Sequence, residues 1–337
     1  MKAVALTRYL PIDNPGSLVD VDLPKPQPGG HDLLVAVKAI AVNPVDTKVR
    51  SPKDKVEPSP RVIGYDAAGV VEAVGPDVTL FKVGDEVFYA GDITRAGTNS
   101  EFHLADERVV GRKPKSLSVA EAAALPLTSI TAYEVLFDRI GIDAGGRDKG
   151  KTLLIIGGAG GVGSIAIQLA KLAGQVVVTT ASRPETIDWV RKLGADHVIN
   201  HRQPLKPQLD ALGLTNIDNV AVFNDTDQHW NAAVEIVKPQ GTIGLIVENA
   251  KPLDQSVAKG KSVKLAWEMM FTRAMYKTPD MIEQHNLLNK VSAWIDDGTL
   301  RTTANDAMTP INAANLRKAH KALEEGSVIG KITLEGW

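Results

Sequence analysis

The chain has 337 residues and no cysteine. That absence removes disulfides, thiolate nucleophiles and every cysteine-based zinc site at once. An excess of one charge is missing too. Lys and Arg number 38 against 40 Asp and Glu, a formal net charge of −2. No broad basic field therefore invites nucleic acid or an anionic membrane. No apolar run reaches the length of a spanning helix. Residues 1–8 alternate like a strand and lack the apolar region of a signal peptide, so a cytoplasmic location is expected. There is no internal repeat and no low-complexity tract. What remains is an ordinary globular composition, 44% hydrophobic and 23% charged, in a chain long enough for two domains.

The most informative segment is Leu153-Leu154-Ile155-Ile156-Gly157-Gly158-Ala159-Gly160-Gly161-Val162-Gly163-Ser164. Its apolar start predicts a buried strand. Gly158, Gly160 and Gly163 then fit G-x-G-x-x-G, and apolar residues recur at helical spacing over 162–173. Strand, glycine turn and helix in that order suit a dinucleotide pyrophosphate. Gly158 allows the tight turn, Gly160 lets the backbone approach the phosphates, and Gly163 lets helix pack on strand. The N–H groups of the helix start, at Gly161, Val162 and Gly163, are offered to the anion.

A second strand is predicted over 176–180. An NAD site usually carries an acidic residue about 20 positions beyond the glycines, bonded to the ribose 2′-OH. Here the strand runs into Ala181-Ser182-Arg183-Pro184. No carboxylate stands at the strand end to repel a 2′-phosphate. Ser182 can donate a hydrogen bond and Arg183 can form a charge-assisted pair. NADPH, leaving as NADP+, is therefore the expected cofactor. Ser182 also fits the N-cap of a helix starting near Pro184.

Up to about residue 125, short strands broken by Gly and Pro, such as 33–42 and 69–75, predict an irregular β-rich domain. From 127 to 268 strands alternate with helices. A helix at 185–193, strands at 197–200 and 219–223, a helix at 229–237 and a strand at 242–247 predict a parallel sheet with helices on both faces. Helices near 281–295 and 313–325 and a strand at 329–334 follow. The expected fold class is α/β: a β-rich domain from 1–126 and 269–337, with a doubly wound Rossmann domain, 127–268, inserted in it.

Several segments resemble the medium-chain dehydrogenase/reductase superfamily. They are Val42-Asn43-Pro44-Val45-Asp46, Gly64-Tyr65-Asp66-Ala67-Ala68-Gly69-Val70-Val71, Ala122-Ala123-Ala124-Leu125-Pro126-Leu127-Thr128-Ser129-Ile130-Thr131-Ala132, the glycine turn, and Gly330-Lys331-Ile332. They occur in the family order and span nearly the whole chain. The resemblance is to the zinc-free quinone oxidoreductase and enone reductase branch, and within it to a bacterial group labelled zinc-type alcohol dehydrogenase-like. It implies a GroES-like catalytic domain beside the Rossmann domain. The label conflicts with the residues. Zinc alcohol dehydrogenases place Cys near Asn43, His at Tyr65 and an acid at Asp66. Only the acid is present here, and a catalytic zinc takes three protein ligands. His197 and His201 have the spacing of a helical zinc pair, but the residues between them read as strand, which sets them about 13 Å apart. No metal is expected, and Asp66 is assigned to a structural or polar network.

Without a Lewis acid, hydride transfer to an already electrophilic carbon remains feasible, as in a quinone or an α,β-unsaturated carbonyl. The enolate then needs a positive charge or hydrogen-bond donor at its oxygen. The resemblance implies roles for several residues. Lys48 would polarise the carbonyl or donate a proton. Asn43 would bond the nicotinamide ribose or substrate, and Tyr65 would line the pocket. Thr131 would meet the nicotinamide side, His201 would lie near the adenosine phosphate, and Arg273 would reach a cofactor phosphate. Asn224 follows a predicted strand and is expected at the carboxyl edge of the sheet, where ligands bind. Each has a plainer reading. Lys48 fits a surface lysine or an ion pair with Asp46, Asn43 a turn residue, Tyr65 core packing, Thr131 a hydroxyl bonded back to its helix, His201 a structural histidine, and Arg273 a surface charge.

The expected function is that of an NADPH-dependent, zinc-independent oxidoreductase acting on a small quinone or enone, with no nucleic-acid or membrane partner. Analogy with relatives implies a homodimer. Two alternatives stay open. One is a cofactor-binding protein without turnover, such as a redox sensor or a crystallin-like or RNA-binding recruit. The other is the zinc-type alcohol dehydrogenase of the label. The short-chain dehydrogenase pattern Tyr-x-x-x-Lys is absent at all five tyrosines.

Overall fold

The computed structural model describes residues 1–337, and the chain divides into two units, Met1–Leu127 with Phe271–Trp337, and Thr128–Met270. In the first unit, one sheet runs in the order Ala304–Met308, Lys331–Glu335, Asp32–Ala41, Ala67–Val74, Glu86–Tyr89, Val110–Arg112. Strand Phe102–Asp106 also pairs with Asp32–Ala41. A smaller sheet joins Val19–Asp22, Lys2–Tyr9 and Lys53–Val62. Leu33, Val35, Val37 and Ile40 pack with Val71, Val87, Leu316 and Leu334 in one core. The register of the late strand matters most for the site. Thr333 lies opposite Ala41 in antiparallel pairing, and Val42 N–H donates to Ile332 O at 3.1 Å. Lys331 is thereby carried to Val42 and Asn43.

The second unit is a six-stranded, wholly parallel sheet. Its strands lie in the order His197–Ile199, Val176–Thr180, Thr152–Ile156, Ile217–Val222, Val237–Leu245, Lys264–Trp267. In chain order that is third, second, first, fourth, fifth, sixth, the doubly wound arrangement. Leu154, Val178, Val220, Ile243 and Trp230 are buried together. The strand expected over 242–247 begins earlier, at Val237. The register shifts along it, and Gln240 takes a left-handed φ of 64°, so a bulge carries the pairing past the Pro239-Gln240-Gly241 turn signal. A feature absent from the sequence expectations is the π-helical stretch Glu134–Ile140, which continues the helix Pro126–Tyr133 and stops at Gly141 with φ 83°. No helix is long and apolar enough to cross a membrane.

Candidate active site

Strand Thr152–Ile156 lies between Val176–Thr180 and Ile217–Val222, where the strand order reverses. A doubly wound sheet binds ligands at the carboxyl end of such a point. Gly157 leaves that end with φ 96°, a conformation open to glycine. A Cβ at Gly158 would fall 1.9 Å from Thr179 Oγ1, and one at Gly163 would fall 2.2 Å from Gly157 O. Packing alone forbids side chains there. Gly160 differs, because a Cβ there would meet nothing nearer than Gly157 O at 3.7 Å. Its open side is the cradle that a phosphate would fill.

The first hydrogen bond of the helix Gly161–Leu172 runs from Ser164 N–H to Gly160 O at 2.9 Å. The N–H groups of Gly161, Val162 and Gly163 therefore stand at the helix start without an intrahelical acceptor. Asn224 joins them: its Cγ lies 3.6 Å from where a Gly157 Cβ would be. The structure thus brings Gly158, Gly160, Gly161, Val162, Gly163 and Asn224 together, and the donor set fits a dinucleotide pyrophosphate.

At the end of the neighbouring strand, Ser182 and Arg183 are half-buried. Arg183 Nε pairs with Glu185 Oε1 at 3.1 Å, with the side chains 33% and 56% exposed. Such a pair is worth under about 1 kcal/mol, little obstacle to an incoming phosphate. Ser182 is not the N-cap of the following helix. Pro184 forces the residue before it into extended backbone, so Arg183 is the last non-helical residue, at φ −110° and ψ 147°. Thr186 Oγ1 closes that helix start, accepting from Arg183 N–H at 3.1 Å and donating to Arg183 O at 2.7 Å. His201 is half-buried, and burial followed by the charge of Arg202 lowers its pKa. Thr131 is buried on the helix Pro126–Tyr133.

The first unit holds a different centre, built from side chains. Asn43 precedes the helix Pro44–Arg50, and its N–H donates to Asp46 Oδ2 at 2.7 Å. Asn43 Nδ2 donates to Asp66 Oδ2 at 2.8 Å and to Tyr65 O at 3.4 Å. Leu127 N–H donates to Asp66 Oδ1 at 2.8 Å. Lys331 Nζ donates to Asp66 Oδ2 and to Val42 O, each at 2.9 Å, and to Asn43 Oδ1. Every group that Lys331 Nζ meets is an acceptor, and every group that the Asp66 carboxylate meets is a donor. The pair is therefore an ammonium and a carboxylate. Burial holds the Asp66 carboxyl above its ordinary value, only partly offset by the charge of Lys331, the Asn43 amide and the Leu127 N–H.

Asp46 is the unbalanced member. Its Oδ1 is buried with no hydrogen-bond partner. Burial raises its pKa to about 7, against the Asn43 N–H and the charge of Lys331. Tyr65 is 1% exposed and sits edge-on to Phe271, with ring centroids 5.2 Å apart. Burial, then the charge of Asp46, pushes its phenol up to about 12, so it stays a neutral hydroxyl at neutral pH.

Three more of the expected residues have the following surroundings. Asn43 has committed its amide to Lys331, Asp66 and the Tyr65 carbonyl. Arg273 is not a surface charge: its side chain is 9% exposed, and its Nε donates to Asp280 Oδ2 at 3.0 Å. Lys48 is exposed on the last turn of its helix, and the amine at the heart of the centre belongs to Lys331. Lys331 and Asp46 were missed as members. The signals existed. Lys331 opens a strand otherwise uncharged to Leu334, and Asp46 stands three residues after an Asn-Pro helix start.

Residues 29–129 match the alcohol dehydrogenase GroES-like domain, and residues 161–284 match the zinc-binding dehydrogenase family. A zinc-type alcohol dehydrogenase-like protein of Staphylococcus aureus is 45% identical over 92% of both chains. The chain belongs to the medium-chain dehydrogenase/reductase superfamily. It is an oxidoreductase of that superfamily. A tomato 2-methylene-furan-3-one reductase is 31% identical, over 99% of this chain and 79% of its own. A Rhizobium etli structure, a candidate zinc-dependent alcohol dehydrogenase, superposes with TM-score 0.95 at 53% identity, over 100% of this chain and 98% of its own. A mycobacterial protein solved with NADPH has TM-score 0.85 at 28% identity, over 99% and 100%.

The zinc in these descriptions can be tested against the residues of this superfamily member. No group of three or more His, Cys, Asp or Glu is placed to hold a metal. Asp66, the carboxylate at the position of interest, is bonded on both oxygens, one of them to the Lys331 ammonium. Neither an imidazole nor a thiolate accompanies it, since Asn43 and Tyr65 occupy the neighbouring positions. These residues do not fit a catalytic zinc.

Proposed function

We propose that the chain is an NADPH-dependent, zinc-independent reductase of quinones or α,β-unsaturated carbonyls. One observation supports this reading above the others: the buried centre meets Asp66 with the Lys331 ammonium, where a zinc enzyme would need further metal ligands. The carbonyl of a substrate would then have to be activated by hydrogen bonding and charge. Gly158, Gly160–Gly163 and Asn224 would hold the pyrophosphate, and Ser182 with Arg183 would hold the 2′-phosphate. Bound NADPH would supply a hydride for the electrophilic carbon. Lys48, charged and exposed, is the candidate donor to the developing oxyanion. The tomato reductase and the NADPH-bound mycobacterial structure favour the same chemistry by likeness. Glu185, paired with Arg183, is the observation favouring NADH, since a carboxylate there can bond ribose hydroxyls.

The test is oxidation of NADPH, followed at its absorbance maximum, with 1,4-benzoquinone, 9,10-phenanthrenequinone, an alkyl vinyl ketone and a 2-alkenal. NADH serves as control, and each assay is repeated after chelation. The expected outcome is turnover with at least one acceptor, preference for NADPH, and no loss on chelation. Activity that vanishes with the chelator and returns with zinc would reject the proposal. Binding of NADPH without turnover of any acceptor would move the chain to the sensor reading.

A further inference from the structure

Lys331 is 3% exposed, and its side chain ends in a shell of oxygens: Val42 O, Asn43 Oδ1 and Asp66 Oδ2. A main-chain carbonyl, an amide oxygen and a carboxylate oxygen converging on one cationic atom is how a protein surrounds a hard cation. The oxygens come from residues 42–66 and the cation from a strand paired to Asp32–Ala41. Asp66 Oδ2 has already accepted the Asn43 amide. A metal at that oxygen would lie about 2.0–2.2 Å from it, in the space the ammonium occupies, so the two exclude each other.

We propose that the Lys331 ammonium is the resident cation of this centre, supplied by the chain in place of a metal ion, and that it sets the orientation of Asn43 and Asp66. The amide shows how. Lys331 donates to Asn43 Oδ1, which turns Nδ2 toward Asp66 and the Tyr65 carbonyl. Without the cation, an amide flip would place an acceptor against the Asp66 carboxylate. With Oδ2 turned to the ammonium, Asp66 Oδ1 is left to receive Leu127 N–H. Lys331 is thus a positioning residue. The inference holds whichever acceptor the enzyme reduces.

The experiment is chemical rescue of Lys331→Ala, read by thermal unfolding at pH 7.5. Truncation removes the cation with its stem and leaves Asp66 buried and uncompensated. The expected midpoint is lower by about 10 °C. Adding n-butylammonium, which restores stem and charge together, should recover at least half of that loss. n-Butanol, with the stem alone, should recover little. Equal recovery by the two, or none by either, would overturn the assignment. If Lys331→Ala does not fold, the single variant Lys331→Met and the double variant Lys331→Met with Asp66→Asn decide. Removing both charges should give a midpoint well above that of Lys331→Met, and a double variant no better than the single would overturn the proposal.

Discussion

In the Rossmann unit the candidate site is made of backbone. A left-handed Gly157, two glycines with no room for Cβ, and free N–H groups at a helix start lie within residues 157–163. In the other unit it is made of side chains. Asn43, Asp46, Asp66 and Lys331 come from three places in the chain, and Asp66 and Lys331 are 265 residues apart. The difference sets what each half tolerates. The backbone site fails when an atom is added, because the space is already taken. The side-chain centre fails when an atom is removed, because a buried charge loses its partner.

Removal from the side-chain centre should cost most. Asp66→Ala leaves the Lys331 ammonium buried without its carboxylate, and urea unfolding should show a loss of about 3–5 kcal/mol. A loss below about 1 kcal/mol would show that Lys331 finds another partner, and the contrast between the halves would collapse. Addition to the backbone site comes next. In Gly163→Ala the new methyl meets Gly157 O at 2.2 Å, so the thermal midpoint should fall by several degrees. Gly160→Ala meets only an ordinary 3.7 Å contact, so its midpoint should stay within about 2 °C. Its NADPH affinity, followed by cofactor fluorescence, should nonetheless drop at least tenfold. Equal thermal losses would erase the distinction between a packing glycine and a ligand glycine.

Arg183→Ala tests the one charged side chain assigned to the backbone half. NADPH binding should weaken by roughly 1–3 kcal/mol more than NADH binding. Matched losses would remove the 2′-phosphate from Arg183. The smallest effect concerns Asp46. Its pKa is raised from 3.8 to about 7 in the folded chain. Between those values the unfolded chain gives up a proton that the folded chain keeps, so this group makes stability fall as pH rises. Asp46→Asn cannot titrate. Relative to wild type, it should gain about 1–2 kcal/mol on going from pH 6.0 to pH 7.5, measured by urea unfolding at both. Parallel profiles would mean that Asp46 is ionised throughout.

The backbone half was legible in the sequence because its chemistry is contiguous. Glycines at 158, 160 and 163 between an apolar strand and an apolar helix announce the turn as a whole, although its left-handed residue is Gly157, and Gly158 is held to glycine by packing on Thr179. The parallel sheet was legible for a similar reason, since each strand and helix announces itself locally. The side-chain centre was legible only in pieces. Asn43 and Asp66 stood in recognisable segments, but nothing local says that a lysine almost 300 residues beyond Asn43 donates to both. That meeting is made by strand register, Thr333 opposite Ala41, and pairing partners cannot be read from spacing. The π-helical stretch at Glu134–Ile140 was likewise hidden, because its composition is that of any amphipathic helix.

The same register has a consequence for the order in which the molecule is built. On a ribosome, residues 1–127 emerge first, yet their sheet lacks the strand Lys331–Glu335, and Asp66 lacks its counter-charge, until the inserted unit has been synthesised. The later-made unit contains all six of its strands between Thr152 and Trp267 and can close while the earlier one waits. Translation thus finishes the Rossmann half first and locks the older half last, with one lysine.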